Sequence, residues 1–310
     1  MLIINSQKGE PYESLTGSVL KHLALKGFEQ GKELKITRWS IGNAEGMAKR
    51  IWSIEKDKRY DAIYLGGTMA TKYFKGFAFQ HPRFKFVFGA VTDPVGLGVI
   101  DSFGAPPKAN FTGVCYPVKV VDRLRFLMQI KPTIKTVGYI YTGMPQSESY
   151  TNWMKKELSS EEFKDLNFHY RQVQFVPGEG GHKRMADLAK QYVLELNPVV
   201  DAFLSPNDQM GAQQPFVKMV SENATKPLIG LGEKDVRDNW GATLSYFPSS
   251  DETGRLIADM LISIFERKDF TTIVPQWPVA GFAKNNLRMR QYGLNLSQNT
   301  DESVLNDIIK

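Results

Sequence analysis

The sequence predicts an α/β protein built as two doubly wound parallel-sheet lobes joined by a multi-strand hinge. Three observations predict it. Short apolar runs alternate with longer amphipathic stretches, and the runs end in Gly, Ser or Thr, the rhythm of parallel strands covered by helices on both faces. That rhythm restarts after residue 116 without an obvious internal repeat. The length of 310 residues exceeds one average domain and suits two.

In order, residues 2–5 read as a strand, and 12–30 as a helix with Leu15, Val19, Leu23 and Leu25 roughly on one face. Residues 34–40 are a strand, 45–58 a helix carrying Met47, Ile51 and Ile54, 61–65 a strand, 68–77 a helix and 85–91 a strand. The second set runs helix 121–128, strand 136–141, helix 150–158, strand 167–173, helix 184–196, strand 200–204, helix 211–221 and strand 228–231. The remainder offers strand 242–247, helix 252–267 and strand 277–282. These pieces are too few for a core of their own, so they are expected to complete the two lobes. Lobe I is therefore 1–115 plus 248–276, and lobe II is 117–246 plus 278–310. The hinge crossings fall near 116, 247 and 277, where Pro117, Pro248 and Pro278 favour extended connectors. Such a hinge lets two lobes bend about one axis, with a ligand cleft expected at the carboxyl ends of the strands.

Composition narrows the function. Apolar residues at 42% and charged residues at 23% describe a globular chain, and no run approaches the length of a membrane-spanning helix. The net charge of +6 is spread thinly, without a basic block, so no nucleic-acid arm is expected. No intramolecular disulfide can form with Cys115 alone. The chain opens directly on a strand, which fits a cytoplasmic protein or a mature domain whose leader has been replaced by a start Met.

Enzyme signatures fail. Residues 66–72 (GGTMATK) and 178–184 (GEGGHKR) lack the phosphate-loop spacing, and the second also fails the dinucleotide template, reading instead as a loop at the cleft rim. His22, His81, His169 and His182 show no metal spacing, and there is no Gly-x-Ser-x-Gly elbow. No catalytic residue, metal or cofactor is expected, and Cys115 reads as a small buried filler.

Residues 86–100 (FVFGAVTDPVGLGVI) and 110–114 (NFTGV) then carry a resemblance. With VDA at 200–202, PND at 206–208, GA at 241–242, GR at 254–255, VP at 274–275, NL at 286–287 and YGL at 292–294, the chain resembles the ABC transporter substrate-binding proteins, in the branch that includes tryptophan/tyrosine-type binders. Two departures stand out: PPKA at 106–109 replaces the family's Pro-Gly-Gly, and the first sixty residues match weakly. The resemblance implies a type I periplasmic-binding fold and a receptor outside the cytoplasmic membrane, periplasmic or lipid-anchored. It further implies an ABC permease and its ATPase as partners, with a monomeric receptor expected.

Polar residues just past the strands are the candidate ligand contacts. In lobe I they are Ser6, Gln7, Gly67, Thr68, Thr92 and Asp93. Gly67 and Thr68 open a helix, whose outward N–H groups and dipole suit a ligand carboxylate, although Thr68 reads equally as an N-cap. Deleting its hydroxyl is expected to weaken binding with little loss of stability. Asp93 suits a ligand ammonium or an Asx turn. In lobe II the candidates are Tyr141, Thr142, Gln146, Ser147, Asn207, Asp208 and Glu233. Asp208 and Glu233 are the acidic pair suited to an amino group, while Asp208 equally suits a helix cap. Trp39, Tyr141, Tyr246 and Phe247 are aromatic candidates, each more often core than contact.

The function expected is a receptor closing on a small polar solute, an amino acid (aromatic ones included) or similar zwitterion. The rivals are a ligand-sensing domain of a signalling system and, less favoured, a two-lobed α/β enzyme.

Overall fold

The computed structural model describes residues 1–107 and 109–296. Lys108 and the end of the expected lobe II from 297 onward lie outside the described residues.

In chain order the elements are β1 (Leu2–Asn5), α1 (Tyr12–Leu25), β2 (Thr37–Ser40), α2 (Glu45–Glu55), β3 (Ile63–Gly66), α3 (Thr68–Ala78), β4 (Phe86–Val91) and β5 (Phe111–Cys115). There follow α4 (Val120–Met128), β6 (Ile130–Lys131), β7 (Thr136–Thr142), α5 (Pro145–Leu158), β8 (Asn167–Val173), α6 (Gly181–Leu196), β9 (Ala202–Leu204), α7 (Gln214–Asn223) and β10 (Leu228–Gly230). The chain continues through α8 (Lys234–Arg237), β11 (Leu244–Pro248), α9 (Ser250–Phe265), β12 (Ala280–Lys284), α10 (Asn286–Gln291) and β13 (Asn295–Leu296).

Contacts divide the chain into two compact units. Unit 1 holds Met1–Tyr116, Pro177–Glu179 and Ser250–Val279; unit 2 holds Pro117–Val176, Gly180–Ser249 and the described residues from Ala280 onward. The sequence reading had run the second body unbroken from 117 to 246.

Unit 1 is a five-stranded parallel sheet in the order β2-β1-β3-β4-β5. β5 was not recognised as a strand from sequence; the Asn-x-Thr-Gly-Val residues 110–114 that lead into and form it are all buried. Asn110 donates through Nδ2 to the carbonyls of Ala78, His81 and Phe84 and accepts from Gln80 N–H. Thr112 Oγ1 donates to Ile273 O. These motif residues therefore brace the α3–β4 turn and the incoming strand end. α9 covers the same face as α1, its Gly254 lying so near Ser18 that a Cβ would meet Ser18 Oγ at 2.2 Å.

Unit 2 is a six-stranded sheet in the order β12-β11-β10-β9-β7-β8, parallel except for β12, which runs antiparallel to β11. Two apolar cores line its faces, one around Leu124, Val137, Tyr139 and Tyr150, the other around Val193, Phe203 and Phe216. A small antiparallel pair, β6 with β13, closes one end. The late strands β11 and β12 thus complete the second sheet, while α9 completes the first unit.

Candidate functional site

Both sheets place their first strand between the next two, β1 between β2 and β3, and β7 between β8 and β9. Chain connections diverge at such a switch point, leaving a crevice at the carboxyl ends where open α/β sheets bind ligands. Ser6, Gln7, Gly67 and Thr68 follow β1 and β3 at the unit 1 crevice. Thr142 ends β7, and Ser147, Asn207 and Asp208 follow β7 and β9, at the crevice of unit 2.

In unit 1, Ser6 Oγ accepts from Ala70 N–H at 3.0 Å, capping α3 from a neighbouring strand. Thr68 Oγ1 accepts from Thr92 N–H at 3.2 Å, tying the loops after β3 and β4. Among the described residues no hydrogen bond reaches the N–H groups of Thr68 and Met69, so these are the first-turn donors α3 has left to offer. Gly67 sits at φ +105°, and a Cβ there would meet Ser6 Oγ at 2.4 Å and Tyr12 Cε1 at 2.5 Å. Only glycine fits that bend.

Gln7 is buried and its Oε1 accepts from Asn43 Nδ2 at 3.0 Å. Asp93 is half-buried and takes the Asx-turn alternative, its Oδ1 accepting from Gly96 N–H at 2.6 Å. Trp39 donates from Nε1 to the buried Glu55 carboxylate at 3.0 Å, a brace under α2. Glu179, counted with this unit, accepts from Lys8 N–H at 2.9 Å and from Ser40 Oγ.

In unit 2, Asp208 is a knot. Its Oδ2 accepts from Thr142 N–H at 2.8 Å, Thr142 Oγ1 at 3.0 Å and Ser147 Oγ at 2.8 Å. Its Oδ1 accepts from Met210 and Gly211 N–H, each at 2.9 Å. Burial pushes its carboxyl above the ordinary range, and the hydrogen bonds from Gly211, Thr142 and Ser147 pull the other way. Those oxygens are committed to the protein, so Asp208 fastens the β9–α7 loop to β7 and the start of α5. The expected helix cap is not what these bonds make: α7 begins at Gln214, and Asp208 instead braces its own loop through Met210 and Gly211.

Glu233 is the more exposed acid, ion-paired with Arg237 at 2.7 Å. Gln146, at the second position of α5, is buried, its Nε2 touching only Met144 Sδ at 3.4 Å. Asn207 is buried beneath the same loop, its backbone N–H reaching the Tyr139 hydroxyl at 3.4 Å. Tyr141 is half-buried against the rings of Tyr139 and Tyr170. Tyr246 and Phe247 are core, Tyr246 stacking on Phe126 with centroids 5.4 Å apart.

Sequence reasoning missed Arg123, whose fully buried guanidinium donates from Nη2 to Ser205 O at 2.7 Å and Gly230 O at 3.3 Å. The signal was available. Val120, Leu124 and Leu127 set the apolar stripe of α4, and Arg123 lies on it at helical spacing. It also missed Asp235, whose Oδ2 accepts from Leu231 and Gly232 N–H and shapes the loop after β10.

The geometry defines a class first: paired open α/β units with polar loops at their switch points, the type I periplasmic-binding-protein-like fold. The family model for ABC transporter substrate binding proteins matches residues 10–277, and the chain belongs to that family.

Solved structures share the fold. A conserved domain protein from Vibrio cholerae aligns with a TM-score of 0.82 at 17% identity, covering 99% of this chain and 98% of that one. An ABC domain in complex with L-Trp from Streptococcus pneumoniae aligns at 0.81 and 16% identity, covering 99% and 98%. A ligand-free, open substrate binding protein with adhesive properties from Clostridium difficile aligns at 0.67 and 17%, covering 100% and 98%. No curated protein sequence matches the chain.

Proposed function

We propose that the protein is the extracytoplasmic solute receptor of an ABC importer, closing on a small polar ligand of the amino-acid or zwitterion class and delivering it to a permease and its ATPase. Ligand binding energy then favours the closed population, which the permease reads. The single observation carrying this reading is the α3 N-terminus at the β1/β3 switch point. Among the described residues no hydrogen bond reaches its Thr68 and Met69 N–H groups, and Gly67 brings the backbone close. A ligand carboxylate would accept from them. Family membership and the tryptophan complex of a fold relative support the amino-acid class.

In unit 2, Thr142, Ser147 and Asp208 hold the loops in place, and Gln146, Asn207, Tyr141 and Glu233 are the groups proposed to meet solute. In unit 1 that role falls to Gln7, Thr92 and Asp93 alongside Gly67 and Thr68, with Ser6 as the brace. The receptor is proposed to work as a monomer at the outer face of the cytoplasmic membrane, in the periplasm or on a lipid anchor.

A thermal-shift screen over amino acids, sugars and nucleosides tests this. A native-state ligand at one hundred times its Kd raises stability by about 2.7 kcal/mol. A purified protein whose midpoint ignores every solute is not a receptor of this kind.

A further inference from the structure

A cavity of about 340 Å³ opens within unit 1, between α1 and the β1–β2 edge of the sheet, large enough for a small molecule. Side chains alternate along a strand, and the hydrogen bonds show which face is which. Ser6 Oγ reaches Ala70 of α3, and Trp39 Nε1 reaches Glu55 of α2. Ile3, Arg38 and Ser40 therefore belong to the opposite face, as does Asn5, whose Nδ2 donates to Thr16 Oγ1 of α1 at 3.3 Å. The cavity lies on that face, across the sheet from the side that α3 covers. Gly17 stands in its α1 wall with nothing within 4 Å of an added Cβ, so no side chain fills the hollow from there.

Gln7 lines the cavity just past β1 and is only 1% exposed. Its Oε1 is taken by Asn43, and its Nε2 has no hydrogen-bond partner. A buried donor left unpaired is costly, and such groups normally meet water or a ligand. Of the groups proposed above to meet solute in unit 1, Gln7 is the one that lines this cavity.

The charges around the opening balance. Lys8 and Arg38 are exposed cations with no ion-pair partner among the described residues, Arg38 donating to the Gln30 amide oxygen at 2.7 Å. Against them stand Glu13, exposed on α1, and Glu179, which accepts from Ser40 Oγ and Lys8 N–H. A solute carrying one sign alone finds no net field there. A solute carrying both finds a partner for each, and Gln7 Nε2 asks for an oxygen inside. An uncharged oxygen fits best, because a carboxylate at that depth loses its water.

We propose that this cavity is a second solute site, and that it takes a small zwitterion with an uncharged carbonyl oxygen to place inside: an amino acid with a side-chain amide. The amide oxygen accepts from Gln7 Nε2, the carboxylate meets Lys8 and Arg38, and the ammonium meets Glu13. The proposal goes beyond the receptor reading and does not need the α3 donors.

Amide-resolved NMR titration of the whole chain tests it, with L-glutamine, L-glutamate and L-norleucine as probes. L-glutamine should shift the Thr16 and Gly17 amide resonances with saturation. L-norleucine, which leaves Gln7 unpaired, and L-glutamate, which buries a charge, should each bind roughly tenfold more weakly or worse at those resonances. Gly17→Leu fills the hollow with a good helix former and should abolish L-glutamine binding there without lowering the thermal midpoint. If Gly17→Leu does not fold, the three probes on wild type decide. Equal binding of the three probes overturns the proposed chemistry, and unmoved Thr16 and Gly17 resonances mean that the cavity holds water only. Shifts confined to Thr68 and Met69 also overturn this inference and leave the receptor reading standing.

Discussion

Ser147 Oγ donates to Asp208 Oδ2 at 2.8 Å, joining the first turn of α5 to the loop after β9. The pair sits at the switch point of the unit 2 sheet, and both partners are buried. Whatever contacts solute from Asn207 or Gln146 is held in place by this bond.

Asp208→Asn replaces one oxygen with an NH2 group that must face donors. The expected loss is about 3 kcal/mol, against about 1 kcal/mol for Ser147→Ala, which leaves four of the five bonds. Urea midpoints measure it, with the slope unchanged if the folded state keeps its compactness. An Asp208→Asn protein as stable as wild type but blind to solute would make the carboxylate a ligand contact after all.

Acid sensitivity should come from Glu55 in unit 1. Its buried carboxylate accepts from Trp39 Nε1 at 3.0 Å, from Lys58 Nζ and from the Tyr60 hydroxyl. Burial raises its pKa, but the bonds from Tyr60, Lys58 and Trp39 outweigh that and hold it below the ordinary value. A depressed folded pKa stabilises above the unfolded value near 4.3 and is lost as pH falls through the folded one. Wild type should therefore lose more stability than Glu55→Gln as pH falls from about 5 to below the depressed folded value. Equal losses in both proteins would place the acid sensitivity elsewhere.

Strand-and-helix rhythm made most of both sheets legible, because buried parallel strands are short apolar runs and their helices carry an apolar stripe. β5 escaped because Phe111 to Cys115 includes Thr112 and Gly113, whose roles depend on Ile273 and Phe88 far along the chain. The helix expected over 150–158 leaves out the first turn of α5, where Pro145 suits the first helical position. Loop positions after strands were readable as a candidate set. Which of them face inward was not, since Asp208's five donors come from Thr142, Ser147, Met210 and Gly211, and only the fold brings the first two to it.

Thr68 separates binding from bracing. Its hydroxyl oxygen accepts from Thr92 N–H, so the sequence expectation of little stability loss is revised. Thr68→Val should cost about 1 kcal/mol as well as weakening solute binding, and Thr68→Ser should restore both. Calorimetry and thermal melts on the same samples give the two readouts. Full affinity in Thr68→Val would remove the α3 N-terminus hydroxyl from the binding account.

Glycines in helices give the last prediction, because three of them sit in different surroundings. Gly17 in α1 and Gly76 in α3 have nothing within 4 Å of an added Cβ, and neither has a positive φ. A glycine in a helix interior costs roughly 0.5–1 kcal/mol relative to alanine, so Gly17→Ala and Gly76→Ala should each raise stability by about that much. The two lie in separate helices, and their gains should add. Gly254 in α9 is the contrast: a Cβ there would meet Ser18 Oγ at 2.2 Å and Ser18 Cβ at 2.5 Å. Ser18 also donates to Asp251 O at 3.1 Å, so α1 and α9 cannot separate without breaking that bond. Gly254→Ala should therefore lower the thermal midpoint despite its better helix propensity, by overpacking worth about 1–3 kcal/mol. A raised midpoint for Gly254→Ala would mean that α1 and α9 approach less closely than Ser18 and Gly254 indicate.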